Sequence, residues 1–185
     1  MNFDEYQRLA MRTSPDGHDK ILNGCMGLIG ESGEIVDAVK KWKFQSGENA
    51  PLPVDKLIDE CGDVLWYCAE TADGLHANLS ELFRRNQILA SNFFEEMKQE
   101  EICSAAFVIS QICGAISTAA FDKSPYPSKE DRFGFHLTLI ITSIQHFLRA
   151  FCGSDIAEAM ARNIEKLRRR YPDGFDPERS LHRAE

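Results

Sequence analysis

From Phe3 to Arg170 the apolar residues recur at helical spacing, and nowhere do they alternate as a half-buried strand requires. A chain patterned this way buries its apolar stripes helix against helix, so the expected architecture is an all-α helical bundle. Helical period covers residues 3–13, 19–44, 54–73, 80–90, 95–121, 131–151 and 155–170. Ser14-Pro15-Asp16-Gly17, the Gly- and Pro-containing stretch 45–53 and the Pro-rich stretch 122–128 punctuate it. At 185 residues there is enough chain for a single all-α domain, 1–185, with its own core.

Composition narrows the function. The formal charge of −8 disfavours a general nucleic-acid binder, which needs a basic face. No apolar run approaches the ~20 residues of a membrane span, so no membrane partner is expected. The amino terminus is polar and amphipathic, unlike a secretory signal. Cys25, Cys61, Cys68, Cys103, Cys113 and Cys152 form no CxxC pair and stand mostly on apolar faces. They read as reduced thiols, and the expected location is cytoplasmic.

The stretch NGCMGLIGESGEIVDAVKK, residues 23–41, places Gly24, Gly27, Gly30 and Gly33 at intervals of three. A phosphate loop is excluded: neither GxxxxGK[ST] nor GxGxxG is present, and no strand precedes. The glycines form a slowly drifting stripe on one helix, where each costs roughly 0.5–1 kcal/mol against alanine. Two readings offset that cost. Another backbone packs closely against the stripe, or the glycines leave space for a ligand beside Glu31 and Glu34.

Glu31 and Glu34 are three apart and share a helical face, and Glu60 and Asp63 repeat the spacing on the next helix. A short connection makes the two helices antiparallel neighbours, so four carboxylates can converge. The second pair sits inside an apolar pattern with Cys61, Val64, Leu65 and Trp66. Carboxylates placed so need partners or a hard cation. On spacing alone a metal site and a solvated acidic face are both open.

GLIGESGEIVDAVKK followed by LIDECGDVLWY resembles the MazG-like nucleotide pyrophosphohydrolases of the all-α NTP pyrophosphatase superfamily. The closing NIEKLRRRYPDGF, residues 163–175, resembles the end of the same module, so the likeness spans about 22–86 and 155–175. The resemblance implies hydrolysis of a nucleoside triphosphate to the monophosphate and pyrophosphate. The cofactor it implies is Mg²⁺, with Mn²⁺ as a substitute. Glu31, Glu34, Glu60 and Asp63 would hold the metal and carry the catalysis, with the general base left open among Glu31, Glu34 and Glu60. Substrate-binding candidates are Lys41, Tyr67, Asn163, Lys166 and Arg170. Known relatives act on different bases, so base and sugar are open. No histidine pair has the i, i+4 spacing of a zinc site.

About 70 residues separate the two parts of this likeness, and an internal repeat at a constant offset of 77 accounts for them. Ile35, Ala38 and Phe44 recur as Ile112, Ala115 and Phe121, and Glu81, Arg85 and Asn86 recur as Glu158, Arg162 and Asn163. The expected organisation is a metal-binding repeat, 19–90, fused to a degenerate repeat, 96–175, as an internal pseudo-dimer. At that offset Glu31, Glu34, Glu60 and Asp63 align with Val108, Gln111, Leu137 and Ile140, and Lys166 aligns with Leu89. One composite site would then draw acids from the first repeat and the basic tail from the second. The chain would be a monomeric pseudo-dimer or a homodimer. The competing reading is a non-catalytic helical interaction protein that keeps only the fold.

Overall fold

The structure is a computed structural model that describes residues 1–47, 49–124 and 127–177. Its described elements are seven α-helices with two short helical extensions: α1 (Phe3–Ala10), α2 (Lys20–Gln45), α3 (Val54–Gly74), α4 (Leu79–Met97), α5 (Ile102–Phe121), α6 (Lys129–Phe147) and α7 (Ile156–Arg170). A 3₁₀ turn, Met11–Thr13, follows α1, and a π-helical turn, Leu148–Cys152, extends α6 until Gly153 adopts a positive φ. Part of the expected 122–128 loop, residues 125 and 126, lies outside the described residues, as does the tail beyond 177.

Local chemistry sets the helix starts. Asn2 caps α1 by accepting from the amide of Glu5, and Asp19 caps α2 by accepting from those of Ile21 and Leu22. Ser128 and Asp155 do the same for α6 and α7. One boundary differs from expectation. The break falls at residues 98–101 rather than between 90 and 95, so α4 is longer and α5 shorter than the periodicity predicts. Ala90 and Phe94 continue the buried stripe begun by Leu79 and Leu82, and that packing carries α4 past Ser91 and Asn92.

α2 and α3 pair as a hairpin, α5 and α6 as another, and α2 packs on α5. The closing helices cross over: α4 packs on α6, and α7 packs on α3. The crossings are alike in detail. Arg162 of α7 binds Asp55 and Asp59 of α3, while Arg85 of α4 binds Glu130 and Asp131 of α6. Asn163 lies against Gly62, where an added Cβ would come within 3.0 Å of it, and Asn86 lies against Gly134, where the distance would be 2.8 Å. Thus each Arg-Asn pair meets an Asp-x-x-Gly segment of the other hairpin.

Ile102–Phe121 has the length and composition of a membrane-crossing helix, with a mean hydropathy of 1.7, contrary to the expectation that no such segment exists. Its Ser, Thr, Gln and Gly residues interrupt the apolar run without adding charge. In the fold it packs on α2 and α6, with Ile109, Ile112, Cys113 and Ile116 buried. All six cysteines are free thiols. Burial pushes Cys25 and Cys152 up to about 11 and Cys113 up to about 12.

Candidate metal centre and cleft

The two acidic pairs lie on helices that pack along their length, and the period of each helix turns three of the four carboxylates to one place. One oxygen each from Glu31, Glu60 and Asp63 lies within 4.8 Å of the other two. Glu34, one turn further along α2, is exposed and stands outside this trio. It is still near enough to disfavour ionisation of Glu31 and Glu60. Burial, then the charges of Asp63 and Glu60, raise the Glu31 carboxyl to about 7. Burial and Asp63 raise Glu60 as well, against the opposing pull of Lys56 and Lys166.

α7 supplies the counter-charge. Lys166 forms an ion pair with Asp63, and Asn163 donates from Nδ2 to Asp63 at 2.8 Å. The Asn163 amide is held from behind. The fully buried Tyr6 of α1 donates its hydroxyl to Asn163 Oδ1 at 2.9 Å, which leaves Nδ2 for Asp63. Burial and Asp63 push the Tyr6 phenol well above its ordinary value, so it remains a donor. Tyr6 falls within the helix expected over 3–13, but nothing in the periodicity marks its hydroxyl as part of the site.

Beside the trio opens a cleft of about 230 Å³ lined by Glu31 and Asp63, by Trp66 and Tyr67, and by Arg170 and Tyr171 at the end of α7, with Asn23 further along α2. Trp66 donates Nε1 to Ala10 O at 3.2 Å and to Thr13 Oγ1 at 3.1 Å, which fixes the turn after α1 at the cleft edge. The carboxyl-terminal segment closes against the same turn through Phe175 N to Arg12 O, 3.2 Å. Tyr67, Lys166 and Arg170 are therefore at the trio or in the cleft. Lys41 is not among its lining residues; it is exposed and ion-paired with Asp37 at 2.6 Å, a turn back along α2. Lys40 also pairs with Asp37.

The glycine stripe divides. At Gly24 an added Cβ would come within 2.1 Å of Thr71 Oγ1, and at Gly27 within 2.1 Å of the Tyr67 ring. At Gly30 and Gly33 it would meet nothing within 4 Å. The first two permit close packing of α2 on α3; the second two are exposed and do not line the cleft.

Hard oxygen donors on two packed helices, two of them reluctant to ionise when uncompensated, form a set that fits a small divalent cation. The MazG nucleotide pyrophosphohydrolase domain matches residues 22–86, which contain all four acids and the helices that carry them. The Gene 37 protein of Mycobacterium phage L5 is 44% identical over 94 residues, which cover 46% of this chain and 82% of that protein. No solved structure matches the chain significantly. With an all-helical bundle, the acid pairs on adjacent helices and these matches, the chain belongs to the MazG-like nucleotide pyrophosphohydrolase family.

Proposed function

We propose that this protein hydrolyses a nucleoside triphosphate to the monophosphate and pyrophosphate in a reaction that depends on Mg²⁺ or Mn²⁺. The observation that carries the reading is the convergence of Glu31, Glu60 and Asp63 beside an aromatic-walled cleft that also receives Arg170. These three residues would hold the metal, which when bound neutralises phosphate charge and makes water a stronger nucleophile. Lys166 and Asn163 fix the Asp63 carboxylate in place. Arg170 offers a permanent positive charge to the phosphates at the cleft wall. Glu34 supplies a fourth carboxylate at the rim, where it joins the ligands or takes the proton of the attacking water. Glu34→Gln separates the two roles: the first lowers metal affinity, the second lowers kcat at unchanged metal affinity.

The pseudo-dimer also belongs to this proposal, with its register revised. The crossing contacts make Asp59 and Gly62 the counterparts of Asp131 and Gly134, an offset of 72 in place of 77 for this helix pair. Glu60 and Asp63 then correspond to Arg132 and Phe135, not to Leu137 and Ile140. Arg132 spends its guanidinium on the main-chain oxygens of Asp122, Ser124 and Pro127. The second hairpin has no carboxylates at these counterpart positions, so the proposal gives the chain one composite site.

The test is pyrophosphate release from a panel of ribo- and deoxynucleoside triphosphates with Mg²⁺. Turnover is expected for at least one nucleotide, and Glu60→Ala is expected to lower it by at least about 100-fold. If nothing is turned over and Mg²⁺ leaves the melting temperature unchanged, the non-catalytic interaction protein is the better reading.

A further inference from the structure

We propose that Asn23 reads the nucleobase: Glu70 holds the amino end of its amide, so its carbonyl oxygen is presented to an N–H on the hydrogen-bonding edge of the base. The inference rests on the nucleotide reading above and adds the base-recognising group to it.

Glu70 is a fully buried acid one turn beyond Trp66 and Tyr67 on α3, and the metal centre makes no use of it. Its carboxylate receives Ser14 Oγ at 2.9 Å, His18 Nε2 at 3.0 Å and Asn23 Nδ2 at 2.6 Å. Three donors satisfy a buried carboxylate that would otherwise be costly. They also tie the turn carrying Pro15, another cleft residue, to the start of α2. A carboxylate only accepts hydrogen bonds, so the side of the Asn23 amide facing it is the NH₂ group. Oδ1 is the end left over, on a residue that lines the cleft. Among the described residues no donor is engaged with it.

The order of groups along α2 supports the assignment. Asn23, Gly27 and Glu31 are four apart and share one stripe, and the eight residues from Asn23 to Glu31 span roughly 12 Å of helix. Between them the Tyr67 ring lies over Gly27, where a Cβ would occupy the same space. Along α2 the cleft is thus lined in order by Asn23, by the Tyr67 ring over Gly27 and by Glu31 of the carboxylate cluster. A nucleotide bound along it would meet them with its base edge, its base or sugar face and its phosphates. An acceptor that must be matched discriminates strongly against a base lacking the donor.

The test measures kcat/KM of the full-length protein for its preferred natural nucleotide and for the triphosphates of 2-pyrimidinone and unsubstituted purine, which carry no N–H on that edge. Wild type is expected to prefer the donor-bearing base by at least about 30-fold, and Asn23→Ala to reduce the preference to within about threefold. Asn23→Ser keeps a donor for Glu70 but lacks the carbonyl, so it should flatten the preference without dismantling the buried cluster. Glu70→Gln can turn either end to the amide and should give an intermediate ratio. Retention of the wild-type ratio in both Asn23 variants, or equal use of donorless bases by wild type, overturns this inference and leaves the hydrolase reading standing. Absence of turnover with every nucleotide overturns both.

Discussion

At the scale of single residues, Glu31 is where the geometry makes its sharpest demand. Its carboxyl sits at about 7 because burial and two neighbouring acids disfavour its charge. A group raised above its unfolded value supports the fold below that unfolded value and loses this support as pH rises through the folded one. The metal-free protein should therefore lose melting temperature between pH 6 and pH 8, and Glu31→Gln should flatten that slope. Added Mg²⁺ should raise the melting temperature of wild type more at pH 8 than at pH 6, because fewer protons must be displaced. Differential scanning fluorimetry at the two pH values checks both. Tyr6 offers a second test at this scale. Tyr6→Phe keeps the buried ring but frees the Asn163 amide to turn, and should weaken metal binding about tenfold, as expected for a group that orients a ligand from behind. Calorimetric titration with Mn²⁺ would measure it.

At the scale of helices, α2 combines two uses of glycine that melting temperatures can separate. Gly27→Ala drives a methyl into the Tyr67 ring and should destabilise by roughly 1–3 kcal/mol. Gly30→Ala meets nothing and should stabilise by about 0.5–1 kcal/mol through helix propensity alone. The facing of Glu31 towards Glu60 and Asp63 follows from spacing by three on two helices joined by a short loop, whereas Glu34, expected with them, stands outside the trio. Other features were not legible because their partners are distant. Glu70 reads as an ordinary acid near the end of α3 until Ser14, His18 and Asn23, far away in the chain, close on it. Lys41 reads as a substrate-binding candidate, and the sequence alone does not show that its exposed ammonium pairs with Asp37 one turn earlier. The periodicity ends α4 near residue 90, and the structure carries it to Met97 because Ala90 and Phe94 extend its buried stripe.

At the scale of the molecule, the packing of α7 on α3 brings Asn163 and Lys166 to the acids of the first hairpin. The acids come from α2 and α3, while Asn163, Lys166 and Arg170 come from α7, a hundred or more residues further on. A non-hydrolysable triphosphate analogue titrated with Mg²⁺ should bind at one equivalent per chain; two equivalents would contradict the composite-site account. In the proposed duplication, α6 is hard to align by letters alone. Helices of equal apolar pattern slide by several residues without visible penalty, so the proposal takes its register from the paired arginine and glycine contacts.

The proposed chemistry stands or falls on Glu31, Glu60 and Asp63 jointly holding a divalent cation. Mn²⁺ binding followed by electron paramagnetic resonance tests it without assuming any substrate. Wild type should bind Mn²⁺, with Mg²⁺ competing, and Glu60→Gln and Asp63→Asn should each weaken binding by at least about 30-fold while retaining the helical circular dichroism of wild type. Equal Mn²⁺ affinity in wild type and both variants would contradict the account.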